Sequence, residues 1–424
     1  MTARSSVNWP ENFAELNMLT PDQALQSILE HCQPLAARRV LLAQAIGRRL
    51  AETTQADRDY PPFDRAMMDG YAIHPTDAGA SMEFRVAGQL AAGEVGVAEV
   101  RPGECVEIMT GAACPPGTCA VIPFEVTNRE GTTLRVLQAW KPRQNMVPRG
   151  SECAAQSILQ QPGDVVTPLC AGVLASIGKS EVCVVPAPRI TVLTTGGELV
   201  GDGQQLGPAQ IRDSNGPMVA AMCTVAGVPP VRVAHVSDDR RAIVAALEMA
   251  SDCELIVLTG GVSTGKYDLV PAAIDEAGGE LVFYKVSQKP GKPLLFAKRG
   301  EQYIFGLPGN PLAAHFCFHR YVATAIRVIA GHPRPRMTGL CGTLTGPIRP
   351  NESRHWFVLG RAERSRPGAE HWQLRPLPGQ SSADLFGPRH ANCYLEIPPG
   401  DHMRQAGESL MFEWLTEATG VTSP

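Results

Sequence analysis

The feature that most constrains the fold is an alternation running from Arg189 to about Ala330. A short Val-, Ile- or Leu-rich segment leads into a glycine turn and a helical stretch, and the cycle repeats. Strands are expected at 190–193, 231–236, 255–258 and 303–305. Helices are expected around 216–226, at 240–249, around 269–277, and as one long helix from Pro311. Strands this apolar need both faces covered, which predicts an open, mostly parallel α/β domain. Ligands in such sheets sit at the carboxyl ends of the strands, so the glycine turns are where chemistry is expected.

The flanking sequence reads differently. Thr20-Pro21-Asp22-Gln23 opens an amphipathic run, with Thr20 as N-cap, Pro21 in the first helical position and Gln23 placed to close a capping box; the helix should end near Gln33-Pro34. Between about 57 and 148, short alternating segments such as 84–87 and 134–137 are punctuated by Gly and Pro, which predicts a small β-rich module. Residues 165–185 return to helix and strand before Pro186-Ala187-Pro188, a domain junction. After His332-Pro333-Arg334-Pro335, short β segments ending with 393–397 and 409–413 predict a C-terminal β domain. At roughly 150 residues per domain, 424 residues suggest about three domains.

Charge and cysteine content narrow the function classes. With 38 basic and 42 acidic residues the net charge is −4, which gives no general attraction to nucleic acid or an anionic membrane. A chain that is 44% apolar and nearly neutral does not match the composition of disorder. The first residues lack an apolar leader, and no stretch reaches the roughly 18 apolar residues of a membrane span, so a soluble, cytoplasmic protein is expected. Twelve cysteines are scattered singly, and the closest pair, Cys114 and Cys119, has no histidine partners in a zinc spacing. Reduced, mostly buried thiols are expected.

The glycine turns are specific. Gly260, Gly265 and Lys266 fall at phosphate-loop spacing, but Tyr267 stands where a magnesium-binding Ser or Thr is required. Gly201, Gly203 and Gly207 miss the dinucleotide fingerprint by one position. The 259–265 turn still offers N–H groups and hydroxyls to an anion, with Asp268 beside it; a solvated turn is an equal alternative. In Gly306-Leu307-Pro308-Gly309-Asn310-Pro311, Asn310 is expected as N-cap and Pro311 as first helical residue, offering an anion-stabilising helix N-terminus. Upstream, Lys289-Pro290-Gly291-Lys292-Pro293 holds two ammonium groups on a stiffened turn. Glu198, Asp238 with Asp239, and Asp268 follow three consecutive strands. Each alone reads as a solvated or capping acid, and Asp238 as a cap for the next helix. Together they suit magnesium held with substrate phosphates, hence phosphate-ester or anhydride chemistry.

Six motifs in order resemble one family. They are Pro62-Phe63-Asp64-Arg65-Ala66-Met67-Met68-Asp69-Gly70-Tyr71-Ala72, Ile108-Met109-Thr110-Gly111-Ala112, Gln210-Ile211-Arg212-Asp213-Ser214-Asn215, the 259–265 turn with Asp268, the lysine turn and the 306–311 turn. The chain resembles the molybdopterin molybdenumtransferases, related to the C-terminal domain of gephyrin, from about Leu19 to about Glu413. The resemblance implies a homodimer of four-domain subunits: an extended domain I (8–56 and 149–187), an inserted β-rich domain II (57–148), an α/β molybdopterin-binding domain III (188–332) and a C-terminal β-barrel domain IV (333–424). It implies that adenylylated molybdopterin and molybdate are converted to molybdenum cofactor and AMP with a divalent metal, Mg2+. The molybdopterin adenylyltransferase and recipient molybdoenzymes are implied partners.

Carried over position by position, the resemblance assigns catalysis to Asp69, Thr110, Glu152, Glu198, Asp238 and Asp268, with metal held by Glu198, Asp238 and Asp268. Pterin contacts fall on Asp213, Ser214, Asn215, Gly260, Gly261, Ser263, Lys289, Lys292, Pro308, Gly309 and Asn310. Molybdate contacts fall on Lys289, Lys292, Arg354 and Ser382. The site is implied to lie between subunits, with Asp69 and Thr110 acting across the interface. Three departures from the family pattern lie in the site: Ser151 before Glu152, Gly197 before Glu198, and Ala313 in place of a serine. They motivate a second expectation, a weakened paralogue that binds molybdopterin or acts as a scaffold without turnover. A third is a nucleotide-dependent phosphotransferase using the near-phosphate-loop.

Overall fold

The computed structural model describes residues 18–76, 82–94, 99–201, 203, 205–262, 269–365, 371–377 and 381–415. The chain forms two units, Arg39–Ile46 with Leu50–Cys183, and Met1–Arg38 and Gly47–Arg49 with Val184–Pro424.

The first unit is built on a six-stranded sheet of β1 (Gly70–His74), β2 (Glu83–Leu90), β3 (Glu104–Ile108), β4 (Ala120–Pro123), β5 (Thr127–Glu130) and β6 (Thr133–Val136). The order is β4-β1-β3-β2-β6-β5, with only β2 and β3 parallel. Period-two alternation sends Ala72 into one core with Val106, Ile108 and Val121, and sends Tyr71 and Ile73 into another with Cys105, Ile122 and Leu134. Both faces are therefore buried. Gly70 is required by close approach: a Cβ there would lie 2.0 Å from the Ile122 carbonyl oxygen.

The second unit opens with α1 (Pro21–His31), whose capping box forms as the sequence predicts: Gln23 N–H donates to Thr20 Oγ1 at 3.3 Å and Thr20 N–H to Gln23 Oε1 at 2.9 Å. Its α/β sheet comprises β7 (Ile190–Thr195), β8 (Arg232–Val236), β9 (Leu255–Thr259), β10 (Glu280–Tyr284), β11 (Leu295–Arg299) and β12 (Gln302–Leu307), in the order β8-β7-β9-β12-β11-β10. The first four strands are parallel, and β11 and β10 extend the sheet antiparallel. The alternation missed β10 and β11 because no helix separates them; β11 hairpins onto β12 and β10 pairs with β11.

Helices α2 (Asn215–Val225), α3 (Arg240–Met249) and α4 (Leu269–Glu276) connect the parallel strands. α2 packs in the core with α1, whereas α3 and α4 cover the other face. The expected long helix from Pro311 is α5 (Pro311–Cys317), a π-helical turn Phe318–Val322 and α6 (Ala323–Ile329). The extra residue in that turn lets successive side chains both reach inward: Arg320 to Glu413 at 2.6 Å and the Tyr321 hydroxyl to Gln288 Oε1.

The C-terminal strands β13 (Leu340–Leu344), β14 (His355–Arg364), β15 (Trp372–Pro376), β16 (Cys393–Ile397) and β17 (Ser409–Trp414) close into a five-stranded barrel through β14-β15-β13-β17-β16-β14. Leu344, Val358, Leu374, Leu395 and Phe412 fill it. A short segment, Gln288–Lys289, adds to this sheet parallel to β14, pairing Lys289 with Trp356. All twelve cysteines are unpaired, and burial pushes the thiols of Cys32, Cys223 and Cys393 up to about 12. Among the described residues no helix is long and apolar enough to cross a membrane.

Candidate active site

Two cavities open at the carboxyl ends of the parallel strands. The first, about 780 Å³, is lined by the ends of β7 and β9, the start of α2 and the turn after β12. The chain leaves β7 to form β8 on one side and returns to form β9 on the other, so the cavity lies at the switch point of strand order, where such sheets bind ligands. It brings together Glu198, Asp213, Ser214, Asn215, Asp238, Gly260, Gly261, Pro308, Gly309 and Asn310, ten of the residues to which the resemblance assigned roles. Ser263 and Asp268 lie outside the described residues, as does most of the near-phosphate-loop.

The acids at this edge have separate tasks. Asp239, not Asp238, caps α3, accepting from Ala242 N–H at 3.1 Å. That corrects the capping alternative and leaves the exposed Asp238 to accept from Thr195 Oγ1 at 3.2 Å. Asp213 accepts from Gly216 N–H at 2.9 Å and so closes the N-terminus of α2, while Ser214 makes no side-chain cap. Asn215, buried, donates to Thr259 Oγ1 and to the Gly309 carbonyl, both at 2.8 Å, tying the ends of β9 and β12 to α2. Its Oδ1 is buried without a partner among the described residues. An unpaired buried acceptor is costly, and a ligand N–H or O–H in the cavity would satisfy it. Gly260 has φ +97°, and a Cβ there would lie 2.1 Å from the Thr195 carbonyl oxygen, so only glycine allows this turn.

The second cavity, about 680 Å³, brings together Lys289, Lys292, Arg354 and Ser382, the four residues assigned to an oxyanion. It shares Pro293, Pro308 and Asn310 with the first. Lys289 is held with its ammonium 4.6 Å from the centre of the Trp356 ring. Arg354 is half-buried, its backbone N–H donating to Asn351 Oδ1 at 3.0 Å. Gln288, fully buried, accepts from Tyr321 and donates from Nε2 to the Gly291 carbonyl at 2.9 Å, which pins the lysine turn from beneath.

The helix N-terminus does not play its expected part. Asn310 occupies the N-cap position but makes no side-chain cap; its Nδ2 donates instead to Ser382 Oγ at 3.0 Å. The Leu312 N–H is taken by the Ser382 carbonyl, and the N–H groups of Ala313 and Ala314 by the Asn310 carbonyl, all at 3.0 Å. The barrel loop has closed the helix end, so positive charge in this cavity comes from side chains. With its oxygen accepting from Asn310, the Ser382 hydroxyl proton remains available for an oxyanion.

Asp69, Thr110 and Glu152 belong to the other unit. Asp69 Oδ1 accepts from both the backbone N–H and the hydroxyl of Thr110, each at 2.7 Å. These bonds, the backbone one first, hold the Asp69 carboxyl below its usual range. Glu152 pairs with Arg65 at 2.7 Å. Thr195, Gln288, Tyr321 and Trp356 went unnoticed in the sequence. Thr195 carried a usable signal, since it ends a strand just before a glycine turn; the other three carried none.

Two family models match the chain. The MoeA N-terminal region (domain I and II) matches residues 19–178, and a probable molybdopterin binding domain matches 191–328. Curated relatives named molybdopterin molybdenumtransferase include one from Staphylococcus aureus (strain MRSA252), 30% identical over 93% of this chain and 95% of its own length. Another, from Staphylococcus epidermidis (strain ATCC 12228 / FDA PCI 1200), is 30% identical over 91% of this chain and 93% of its own. The molybdopterin biosynthesis moeA protein of Pyrococcus horikoshii OT3 superposes with a TM-score of 0.74 at 25% identity, covering 94% of this chain and 100% of that one. A molybdenum cofactor biosynthesis protein from Pyrococcus furiosus shares the fold, with a TM-score of 0.56 at 17% identity and coverage of 94% and 99%.

Proposed function

The chain belongs to the molybdopterin molybdenumtransferase family, and from that premise we propose that it inserts molybdate into adenylylated molybdopterin, releasing AMP and forming molybdenum cofactor. One observation carries the reading: Lys289, Lys292, Arg354 and Ser382 line one cavity that adjoins the strand-end cavity of Glu198 and Asp238.

In this reading the pterin occupies the strand-end cavity, and its N–H groups meet the Asn215 carbonyl oxygen. Molybdate, a tetrahedral dianion, sits in the adjoining cavity. Its charge is offset by two ammonium groups and a guanidinium, and the Ser382 hydroxyl donates to one oxygen. The walls shared by Pro308 and Asn310 put the two substrates side by side, which converts their encounter into a local one. The donor set of Glu198 and Asp238, with the Thr195 hydroxyl behind Asp238, fits magnesium, which binds one or two carboxylates together with substrate phosphates. Asp268 is the third proposed ligand. When bound, magnesium would neutralise charge developing on the phosphate oxygens of the anhydride.

Homodimerisation, with Asp69, Thr110 and Glu152 serving the cavities of a second subunit, is part of the proposal, as are the four domain boundaries given above. So are a cytoplasmic location, supported by twelve unpaired thiols, and hand-over from an adenylyltransferase and on to recipient molybdoenzymes. The non-turnover alternative is not favoured: Gly197 stands in open space, and Glu152 retains a carboxylate after Ser151. The test is incubation with adenylylated molybdopterin, magnesium and molybdate or tungstate, following AMP and the reconstitution of a cofactor-free molybdoenzyme. AMP release above that of Asp238→Asn is expected. Release no greater than in that variant overturns the assignment.

A further inference from the structure

A third cavity, of about 330 Å³, lies at the opposite edge of the α/β sheet, where α2 and α6 end. Its apolar wall includes Met222, Val225 and Ile326. Its polar groups are Arg48, Arg49, Arg327, His319 and His332, and among the described residues no Asp or Glu lines it. Val225 is 48% exposed, an uncovered apolar surface beside three guanidinium groups.

Cations gather at helix C-termini to satisfy the last carbonyls, but here the backbone does that work. Beyond α2, Gly227 and Val228 donate to Thr224 and Cys223 at 2.9 and 3.0 Å; beyond α6, Gly331 and His332 donate to Val328 and Arg327 at 2.9 and 2.8 Å. Among the described residues Arg327 reaches uncharged partners, Met337 Sδ at 2.7 Å and the Pro335 carbonyl at 3.5 Å. Among the described residues neither Arg48 nor Arg327 has an ion pair. Glu413 is near enough to favour the Arg327 charge but is committed to Arg320 and His319, and burial together with Arg49 pulls Arg327 downward. His332 accepts from Arg334 N–H on Nδ1 at 3.0 Å, which makes its Nε2 a further donor. Like charges held in a partly apolar recess repel one another, and an anion relieves that repulsion.

We propose that this cavity is a binding site for a small organic anion, an apolar or aromatic body carrying one phosphate or carboxylate. The volume falls in the range of small-molecule sites, the guanidinium groups of Arg48 and Arg327 take the head and the apolar wall takes the body. The site touches both ends of the α/β fold, Val185 and Ala187 where the chain enters and His332 where it leaves, so an occupant would brace those two crossings.

The test titrates the full chain, saturated with molybdate to occupy the cavity of Lys289, Lys292, Arg354 and Ser382, with 1-naphthyl phosphate, 1-naphthoate, 1-naphthol and inorganic phosphate, read by fluorescence and calorimetry. At least one naphthyl anion binds, and which one separates phosphate from carboxylate sources; naphthol and inorganic phosphate bind at least tenfold more weakly. Arg327→Gln weakens the anion at least tenfold. Val225→Trp, which fills the recess without altering charge, does the same. The proposal is overturned by absence of binding, by naphthol binding as tightly as the anions, by unchanged affinity in both variants, or by binding that is lost as the chain self-associates in sedimentation.

Discussion

Replacing Tyr321 with Phe removes one oxygen from a fully buried position and tests how the lysine turn is held. The hydroxyl donates to Gln288 Oε1, and Gln288 Nε2 donates to the Gly291 carbonyl between Lys289 and Lys292. Both side chains are fully buried, so water cannot replace the lost donor. Leaving a buried acceptor unpaired costs about 1–3 kcal/mol, and urea unfolding should register a loss of that size. Oxyanion affinity can fall by no more than the same amount. At about 1.4 kcal/mol per factor of ten, a turn that absorbs the whole loss raises the molybdate KM roughly five- to hundredfold with little change in kcat. A double variant, Tyr321→Phe with Gln288→Leu, should recover part of the stability, because both partners are then apolar. It should not recover affinity, because the bond to Gly291 is gone. Unchanged KM in a destabilised Tyr321→Phe protein would refute the link between the buried tyrosine and the turn. Unchanged stability would refute the hydrogen bond itself.

Three further outcomes follow from the same geometry. Glu413→Gln leaves the buried Arg320 guanidinium without its nearest carboxylate, and should lower unfolding free energy by about 3–5 kcal/mol in denaturant titration. Thr110→Val removes one of the two bonds that depress the Asp69 pKa but keeps the larger, from the backbone N–H. Carboxyl NMR titration should show the Asp69 pKa rising only part of the way to its ordinary value. The sign is that of a lowered carboxylate: whatever stability the ionised Asp69 contributes is present above the unfolded-state pKa and lost as pH falls through the folded one, and that window should narrow in the variant. Gly260→Ala forces a Cβ against the Thr195 carbonyl in a left-handed turn, and pterin binding measured by fluorescence should be lost even where the protein still folds.

The sequence made the strand-end cavity legible because the acids and glycines that line it follow strongly apolar runs, which mark where strands end. Glu198, Asp238 and Gly260 lie in the cavity for that reason. Whether Asp238 or Asp239 capped α3 was beyond sequence reasoning, since adjacent aspartates have equal capping propensity and only the approach of Thr195 separates them. The Asn310 side chain was misplaced for a similar reason. Local preference favours a cap, but the Ser382 carbonyl from a distant loop had already taken the Leu312 N–H, and long-range competition of that kind leaves no local trace. Strands β10 and β11 were missed because an antiparallel hairpin lacks the intervening helix on which the alternation was read. Trp356 entered the cavity through a strand register, which follows from the pairing of Gln288–Lys289 with β14 and not from any motif.

That pairing has a consequence for how the molecule is divided in the laboratory. The lysine turn begins as a strand of the C-terminal barrel, so Lys289 and Trp356 are neighbours in one sheet although 67 positions separate them. A fragment cut near Pro333 would keep every residue of the strand-end cavity that precedes the barrel and both lysines. It would lose Arg354, Ser382 and the aromatic ring over which Lys289 rests, and it would expose the backbone of Gln288–Lys289 as an unpaired edge. The α/β part and the barrel are separate folds by architecture, but the cavity that gathers Lys289, Lys292, Arg354 and Ser382 exists only when both are present.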